Sequence, residues 1–246
     1  MKDLELIKKY VPNELQDRAI KKLNEGYPVQ YIIGNVDFYG NIINVNEFVL
    51  IPRFETEYLV EKTIKYLKKL NIISNIEILE IGTGSGCISI SLKKELDCNI
   101  LAIDISDKAI AVAKKNAKLN NVDINFLTKD INVFNPDKKF NLIISNPPYV
   151  PVNSKVDEKT KYEPQNAIFA DNDGIYFYRI IIERLKNNLQ KDYLIAFEIG
   201  DKQGHLVEKI AKENLPEAFV LVEKDYNNFD RYVFISNKKL PNCDSL

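Results

Sequence analysis

The chain of 246 residues contains no tryptophan, one methionine, one histidine and three cysteines. A single histidine gives little support for a histidine-based metal site or a Ser-His catalytic pair, and we expect His205, in a polar segment, to be a surface residue. Cys87, Cys98 and Cys243 follow no disulfide or zinc-binding spacing. Their pattern predicts a reducing compartment and no metal site.

Charge of one sign and long apolar runs are also lacking. The 34 basic and 35 acidic residues give a net charge of −1, which argues against a large nucleic-acid footprint. No apolar run approaches the ~18 residues that a membrane span needs, and the first residues alternate in charge, unlike a signal peptide. We therefore expect a cytoplasmic protein that binds neither membrane nor, stably, nucleic acid, and that is a monomer.

Strand and helix patterns alternate from residue 76 onward. Strands are predicted near 76–81, 99–104, 124–127, 140–145, 193–199, 219–223 and 231–235, and helices near 86–96, 107–120, 174–189 and 201–213. This alternation predicts an α/β fold, a doubly wound and mostly parallel seven-stranded sheet with helices on both faces. Ligands of such sheets bind at the carboxyl ends of the strands.

The segment before residue 76 is organised differently. Residues 13–25 predict a helix that Asn13 caps and Gln16 completes as a capping box. Residues 29–51 are rich in β-branched and aromatic residues around Gly40-Asn41, which predicts a hairpin, and 55–70 predict a further helix. We divide the chain into a short helical region at 1–26, a β-hairpin linker at 27–54 and a catalytic domain at 55–246.

A glycine-rich loop follows the first strand of the alternating region. It consists of Gly82, Thr83, Gly84, Ser85 and Gly86. Glycines allow close backbone approach to a ligand, and the following helix offers free N–H groups, as nucleotide-like cofactors require. The loop lacks both the third glycine of the dinucleotide fingerprint and the Lys-Ser/Thr ending of a P-loop.

Asp104 ends the next strand, where an acid can accept hydrogen bonds from ribose hydroxyls. Its alternative role is a helix cap, but Ser106 or Asp107 is better placed for that.

The segment Asn146, Pro147, Pro148 and Tyr149 follows the strand at 140–145. Its two prolines remove two backbone N–H groups and stiffen the turn, so a carboxamide and a ring are held on a rigid loop. Such a loop, with free backbone carbonyls, suits binding of a planar NH₂ group. The alternative is a turn that only closes the strand, but the glycine loop upstream favours a functional role.

Together these motifs resemble the class I methyltransferases that use S-adenosylmethionine, a Rossmann-like family, over about residues 76–150. The resemblance implies that Glu80 and the glycine loop bind the methionine part of the cofactor. It places Asp104 and Ile105 at the ribose, and Asp130 and Ile131 beside the adenine.

The same resemblance assigns the chemistry to the segment after the strand at 140–145. It implies that the Asn146 side-chain oxygen and the Pro147 carbonyl accept hydrogen bonds from the substrate NH₂ group, with Asn146 also at the cofactor. Pro148 and Tyr149 would complete the substrate site, the Tyr149 ring packing on the amide plane or lining its pocket.

Seven further segments are similar to the bacterial peptide chain release factor N(5)-glutamine methyltransferases, so that this resemblance covers about residues 26–235. They are Gly26 to Gly34, Phe38 to Gly40, Val49 to Glu57, Tyr162 to Pro164, Asp173-Gly174, Tyr178-Arg179 and Phe197 to Gly200. The resemblance implies methyl transfer to the glutamine of a Gly-Gly-Gln loop in peptide chain release factors. That family carries a helical bundle before the hairpin, and we expect it to be shortened here, since about 25 residues precede Gly26.

Some assignments stay open between alternatives. Arg53 is either a contact at the cofactor or substrate mouth, or a member of a salt bridge or a charge at a helix start. Glu198 either lines the site or is an exposed acid at a strand end. Phe54 stands where the family usually has proline. The competing functions are an adenine-amine methyltransferase acting on nucleic acid, for which little chain is left to form a recognition domain, and a non-catalytic binding module.

Overall fold

The computed structural model describes residues 3–240, so Cys243 lies outside the described residues. Three helices, α1 (Asp3–Tyr10), α2 (Asn13–Asn24) and α3 (Val29–Ile33), precede a short hairpin of β1 (Asn35–Phe38) and β2 (Asn41–Asn44). The remaining helices are α4 (Phe54–Lys69), α5 (Cys87–Glu95), α6 (Asp107–Leu119), α7 (Tyr176–Leu185) and α8 (Gly204–Asn214). The remaining strands are β3 (Ile76–Ile81), β4 (Cys98–Asp104), β5 (Asn125–Thr128), β6 (Phe140–Ser145), β7 (Val150–Pro151), β8 (Phe169–Ala170), β9 (Leu189–Glu198), β10 (Phe219–Lys224) and β11 (Asp230–Ser236).

Seven of these strands form the central sheet, in the order β10-β11-β9-β6-β3-β4-β5. Neighbours from β9 to β5 pair in parallel, and β11 runs antiparallel to both strands beside it. The predicted fold class, a mostly parallel seven-stranded sheet, is confirmed. Because β3 and β6 are adjacent, the glycine loop and the Asn146 segment leave the sheet side by side.

Two apolar cores, one on each face, bury the sheet. Strand residues with even numbers such as Ile78 and Leu142 pack with α4, α5 and α6, whereas Leu79 and Ile143 pack with α7 and α8. Side chains alternate across a strand, so continuous apolar runs can fill both cores at once. This double burial fixes the strand register, and with it the position of every residue at the carboxyl edge.

The N-terminal region departs from the sequence-based expectation in two places. Residues 29–33 form α3 rather than a strand, because Pro28 precedes its first turn and Gly34, at φ +88°, ends it. Val29 packs in a small separate core with Ile7 of α1. The hairpin begins only afterwards, although its turn at Gly40 lies where it was predicted.

The expected capping box of α2 is also wrong. Pro12 occupies the cap position, and no side chain in the described part of the chain caps the helix. The Asn13 side-chain oxygen instead accepts a hydrogen bond from Gln16 Nε2 at 3.0 Å. The division of the chain at residues 26 and 54 stays a prediction.

Two further expectations concern the exposure of His205 and the absence of a membrane span. His205 is exposed, as predicted. Among residues 3–240, no helix combines the length and apolar character that a bilayer crossing requires.

Candidate active site

A cavity of about 430 Å³ opens at the carboxyl edge of β3, β4 and β6. Two walls of this cavity come from the glycine loop and from the segment that leads from the hairpin to α4, which includes Phe48 and Arg53. The buried Asn116 of α6 ties these two walls together. Its Nδ2 donates to the carbonyl oxygens of Asn44 and Ser85, both at 2.9 Å.

The glycines of the loop serve two different purposes. Gly82, Gly84 and Gly86 all have positive φ. A Cβ atom at Gly82 or Gly84 would meet none of the described residues within 4 Å, whereas one at Gly86 would lie 3.2 Å from Ala113 Cβ. The first two therefore leave open space toward the cavity, and the third lets the loop pack against α6.

Glu80 is the most unusual group in the cavity wall, because it is a carboxyl with only 1% exposure. Its Oε2 accepts hydrogen bonds from the hydroxyls of Thr83, at 2.7 Å, and of Ser89. Its Oε1 has no hydrogen-bond partner among residues 3–240. Burial raises the pKa of Glu80 to about 7, against the lowering effect of the two hydroxyls. An unpaired buried oxygen on a cavity wall is suited to a cationic ligand group.

Asp104 ends β4 and is held from both sides by backbone donors. Gly84 N donates to its Oδ2 and Ser106 N to its Oδ1, both at 2.9 Å. Burial raises the pKa of Asp104, and these N–H groups oppose the rise. Ser106 caps α6 by accepting from Ala109 N, as predicted, so Asp104 does not serve as the cap. Each of its oxygens keeps acceptor capacity toward the cavity.

Ile105, Asp130 and Ile131 line the same cavity. Ile131 is buried, and Ile105 is 60% exposed. Asp130 Oδ1 accepts from both the backbone and the side-chain nitrogen of Asn132, at 2.8 and 2.9 Å. The structure thus brings the residues that the sequence assigned to the cofactor together at one cavity, except Gly86, which packs against α6.

Asn146, Pro147 and Pro148 form the cavity wall beyond β6. Asn146 Nδ2 lies 3.0 Å from Thr56 Oγ1 of α4, a contact that leaves the Asn146 oxygen on the opposite side of the amide. Tyr149 O accepts a hydrogen bond from Gln203 Nε2 at 2.9 Å, which fixes the end of the segment.

Tyr149 and Glu198 are placed differently from the sequence-based assignment. Neither belongs to the described residues that line the cavity. Glu198 is buried rather than exposed, and its Oε2 and Oε1 lie 2.7 Å from Thr56 Oγ1 and 3.4 Å from the Tyr149 hydroxyl. Burial raises the pKa of Glu198 to about 7. Both side chains contact the Asn146 segment or its neighbours, and their predicted contact with the substrate stays a prediction.

Arg53 both lies at the cavity and forms a salt bridge, and its contact with a ligand stays a prediction. It lines the cavity, and its Nη2 forms a 2.7 Å salt bridge with Glu163 Oε1. Glu163 Oε2 also accepts from Ile51 N at 3.0 Å. Glu163 therefore links the segment after β7 to the linker before α4. The same segment contributes Pro164 to the cavity.

Three supporting residues were missed by sequence reasoning: Thr56, Glu163 and Gln203. Thr56 contacts partners 90 and 142 residues away, and Glu163 a partner 110 away. No local pattern announces such contacts. The only signal was that Thr56 and Glu163 fall inside segments that carry the family resemblance.

The sequence has curated relatives that cover most of it. It is 43% identical over 227 residues to the release factor glutamine methyltransferase of Flavobacterium psychrophilum, covering 89% of this chain and 79% of that protein. It is 40% identical over 234 residues to the enzyme of that name from Streptococcus pneumoniae, covering 94% and 80%.

Two further comparisons agree on the fold. The family described as methyltransferase small domain matches residues 60–170. The crystal structure of ribosomal protein L11 methylase from Lactobacillus delbrueckii subsp. bulgaricus superposes with a TM-score of 0.56 at 21% identity, covering 79% of this chain and 83% of that one. At this identity the likeness shows the fold alone.

Proposed function

This chain belongs to the release factor glutamine methyltransferases, and we propose that its Asn146 wall holds the side-chain amide of a release-factor glutamine beside bound S-adenosylmethionine. Membership in the family carries the activity and the cofactor: the enzyme transfers a methyl group from S-adenosylmethionine to a glutamine side-chain nitrogen. The roles of individual residues are argued from the cavity itself.

The cavity residues fit S-adenosylmethionine in charge and shape. The unpartnered Oε1 of buried Glu80 suits the ammonium of the methionine part, and the open space at Gly82 and Gly84 admits a ligand close to the backbone. The Asp104 carboxylate is oriented by two N–H donors and can accept from a ribose diol. Ile105 and Ile131 offer apolar surface to an aromatic base.

The substrate presents a chemical difficulty, because an amide nitrogen shares its lone pair with the carbonyl and is a poor nucleophile. The cofactor supplies an already activated methyl group on a sulfonium. The protein has to orient the nitrogen and to stabilise the positive charge that grows on it during transfer. Positioning and fixed acceptors in a dry site can supply both effects.

Asn146 and Pro147 provide such acceptors. The Asn146 oxygen and the Pro147 carbonyl take one N–H each from the substrate NH₂ group, which fixes the amide plane and strengthens as charge develops. Proline stiffens the turn, so the two acceptors need little reorganisation. The N-methylated amide is strongly acidic as a cation and releases its extra proton to water.

The contact between Asn146 and Thr56 is the observation that carries this proposal, since it occupies the donor end of the carboxamide and leaves the acceptor end free. Asn146→Ala should largely retain its affinity for S-adenosylmethionine while kcat falls by about 10²–10³, as for the loss of one oxyanion-hole donor. Asn141→Ala is the matched control. Asn141 lies at the opposite end of β6 and bonds to Glu77 and Asp192.

The two variants separate chemistry from folding. Calorimetry gives cofactor affinity, and mass spectrometry gives the rate at which one methyl appears on the glutamine of a release-factor Gly-Gly-Gln loop. Near-normal turnover of Asn146→Ala would refute the acceptor role.

The substrate class is tested separately, with labelled cofactor offered to release factor and to adenine-containing DNA in parallel. We expect label on the protein and none on the nucleic acid. Label on DNA would support an adenine methyltransferase instead, and no label on either would support a binding module. We further propose that the enzyme acts as a monomer in the cytoplasm, which sedimentation and cell fractionation would test.

A further inference from the structure

A carboxamide can fit its site in two directions that differ only by exchange of oxygen and nitrogen. Only one of them suits Asn146. With its oxygen toward the substrate it accepts an N–H, whereas the reversed group would set two NH₂ groups against each other. The rigid Asn146 segment fixes where the group lies but not which way it points, so another residue has to set the direction.

Thr56 and Glu198 form a chain of hydrogen bonds that does so. A hydroxyl carries one proton. The Thr56 hydroxyl lies 2.7 Å from Glu198 Oε2, where it donates, and 3.0 Å from Asn146 Nδ2, where it can then only accept. This order of donors and acceptors turns the Asn146 oxygen away from Thr56.

The surroundings of Glu198 support this direction of the chain. Within residues 3–240, no Lys or Arg forms a salt bridge with Glu198; the nearby Arg231 pairs with Asp225 and binds the Ile199 carbonyl oxygen. The two Glu198 oxygens face hydroxyls, those of Thr56 and Tyr149. A buried carboxyl without a paired cation is costly for stability, and here it acts as the fixed acceptor at the start of the chain.

The fold brings the three groups together without local sequence pattern. β6 and β9 are neighbours, and Ser145 pairs with Phe197, so Asn146 and Glu198 leave the same edge of the sheet. The first turn of α4 lies over that edge and inserts Thr56 between them.

We propose that Thr56 and Glu198 are positioning residues for methyl transfer, which set the Asn146 carboxamide with its oxygen toward the substrate. This inference rests on the acceptor role of Asn146 in the proposed function. It adds the source of the direction, and it assigns a positioning role to Thr56, which lines the cavity, and to Glu198, which is not among the described lining residues.

Thr56→Val tests the inference, because valine keeps the shape and removes the hydroxyl. We expect kcat to fall about 10- to 100-fold, the loss of one buried hydrogen bond and of a fixed orientation, with the cofactor Kd unchanged. Thr56→Ser restores the hydroxyl and should return activity to within about twofold of the parent.

Thr63→Val is the matched control. Thr63 lies on α4 and is fully buried, and its hydroxyl has no hydrogen-bond partner among residues 3–240. Thr63→Val makes the same chemical change in the same helix but alters none of the hydrogen bonds between Glu198, Thr56 and Asn146. We therefore expect kcat to stay unchanged. Equal losses in Thr56→Val and Thr63→Val would show that the helix is merely perturbed, and would overturn the inference.

A double-variant cycle separates this inference from the proposed function. If Thr56 acts through Asn146, Thr56→Val should cost nothing further in the Asn146→Ala background. Full additivity of the two losses would overturn the positioning role. The positioning role would also be overturned if Asn146→Ala lost most of its kcat while Thr56→Val and Glu198→Gln kept nearly the parental kcat. That result would leave the acceptor role of Asn146 intact. A near-parental kcat of Asn146→Ala would refute both the acceptor role of Asn146 and the positioning role of Thr56 and Glu198.

Discussion

Replacing Asp104 with alanine should weaken cofactor binding without altering the rate of methyl transfer at saturation. Asp104 is the only carboxylate among the described cavity residues whose two oxygens are each fixed by a backbone N–H, from Gly84 and from Ser106. That arrangement aims the remaining lone pairs at a ligand with two adjacent hydroxyls. Asp104→Ala removes both acceptors and changes no group of the Asn146 wall.

The expected loss follows from the hydrogen bonds that disappear. A hydrogen bond to a charged acceptor contributes about 1.5–3 kcal/mol. Two bonds to a ribose diol would contribute about 3–6 kcal/mol, but the partly exposed site lets water replace some of that stabilisation, so we expect about 3 kcal/mol. At 1.4 kcal/mol per factor of ten, this is about a 100-fold rise in Kd. Asp104→Asn keeps one acceptor and should lose about tenfold.

Calorimetry with S-adenosylmethionine measures the change, and Asp107→Ala is its control. Asp107 lies three positions away, and its carboxylate accepts from Thr128 Oγ1 at 2.5 Å outside the described cavity wall. An analogue that lacks the ribose hydroxyls tests the contact itself, because Asp104→Ala should not weaken its binding further. A Kd within twofold of the parent for Asp104→Ala, or an equal loss with the analogue, would refute the ribose contact.

Two other predictions concern Glu80 and Gly174. Burial raises the pKa of Glu80 to about 7, so the carboxyl is increasingly neutral below that pH and cannot pair with the cofactor ammonium; cofactor affinity should rise with pH through about 7 and level off above it, and Glu80→Gln, measured by calorimetry at the same pH values, should lower the affinity and flatten the profile. Gly174 has φ +83°, and a Cβ atom there would overlap the Tyr149 carbonyl oxygen, so Gly174→Ala should lower the free energy of unfolding by at least about 2 kcal/mol in denaturant titration. Gly40→Ala, at φ +71° with nothing within 4 Å, isolates the backbone cost and should lose clearly less; equal losses would contradict the overlap.

The edge of the sheet was predictable because its determinants are local. The strand runs ending at Ile81, Asp104 and Ser145 are mostly apolar, as is typical of strands buried on both faces. The polar or glycine residues that follow mark where each strand ends, and parallel strands bring those ends together. The cofactor residues were assigned because they lie at or directly after these strand ends. Parallel alignment of the strands is then enough to bring them together.

The supporting contacts were not predictable from local pattern. Glu198 ends its strand as Asp104 does. The flanking residues do not indicate that α4 covers Glu198 whereas Asp104 faces a cavity. The difference comes from how the helix before β3 packs over β6 and β9, a matter of tertiary structure. The α3 helix was missed for the same reason, since its β-branched residues resemble a strand until Val29 is seen packed against Ile7.

Glu80 and Glu198 show how the two kinds of acid can be told apart once the fold is known. Each is 1% exposed at the same sheet edge, and burial raises each pKa to about 7. They differ in what remains unpaired. Among residues 3–240, Glu80 has one oxygen without a hydrogen-bond partner, whereas both oxygens of Glu198 face protein hydroxyls. An unsatisfied buried oxygen is a cost that a ligand can remove, which supports the proposed contact of Glu80 with the cofactor. A satisfied one gains nothing from a ligand, so the positioning role that we propose for Glu198 requires its effect on catalysis to pass through Thr56 to Asn146.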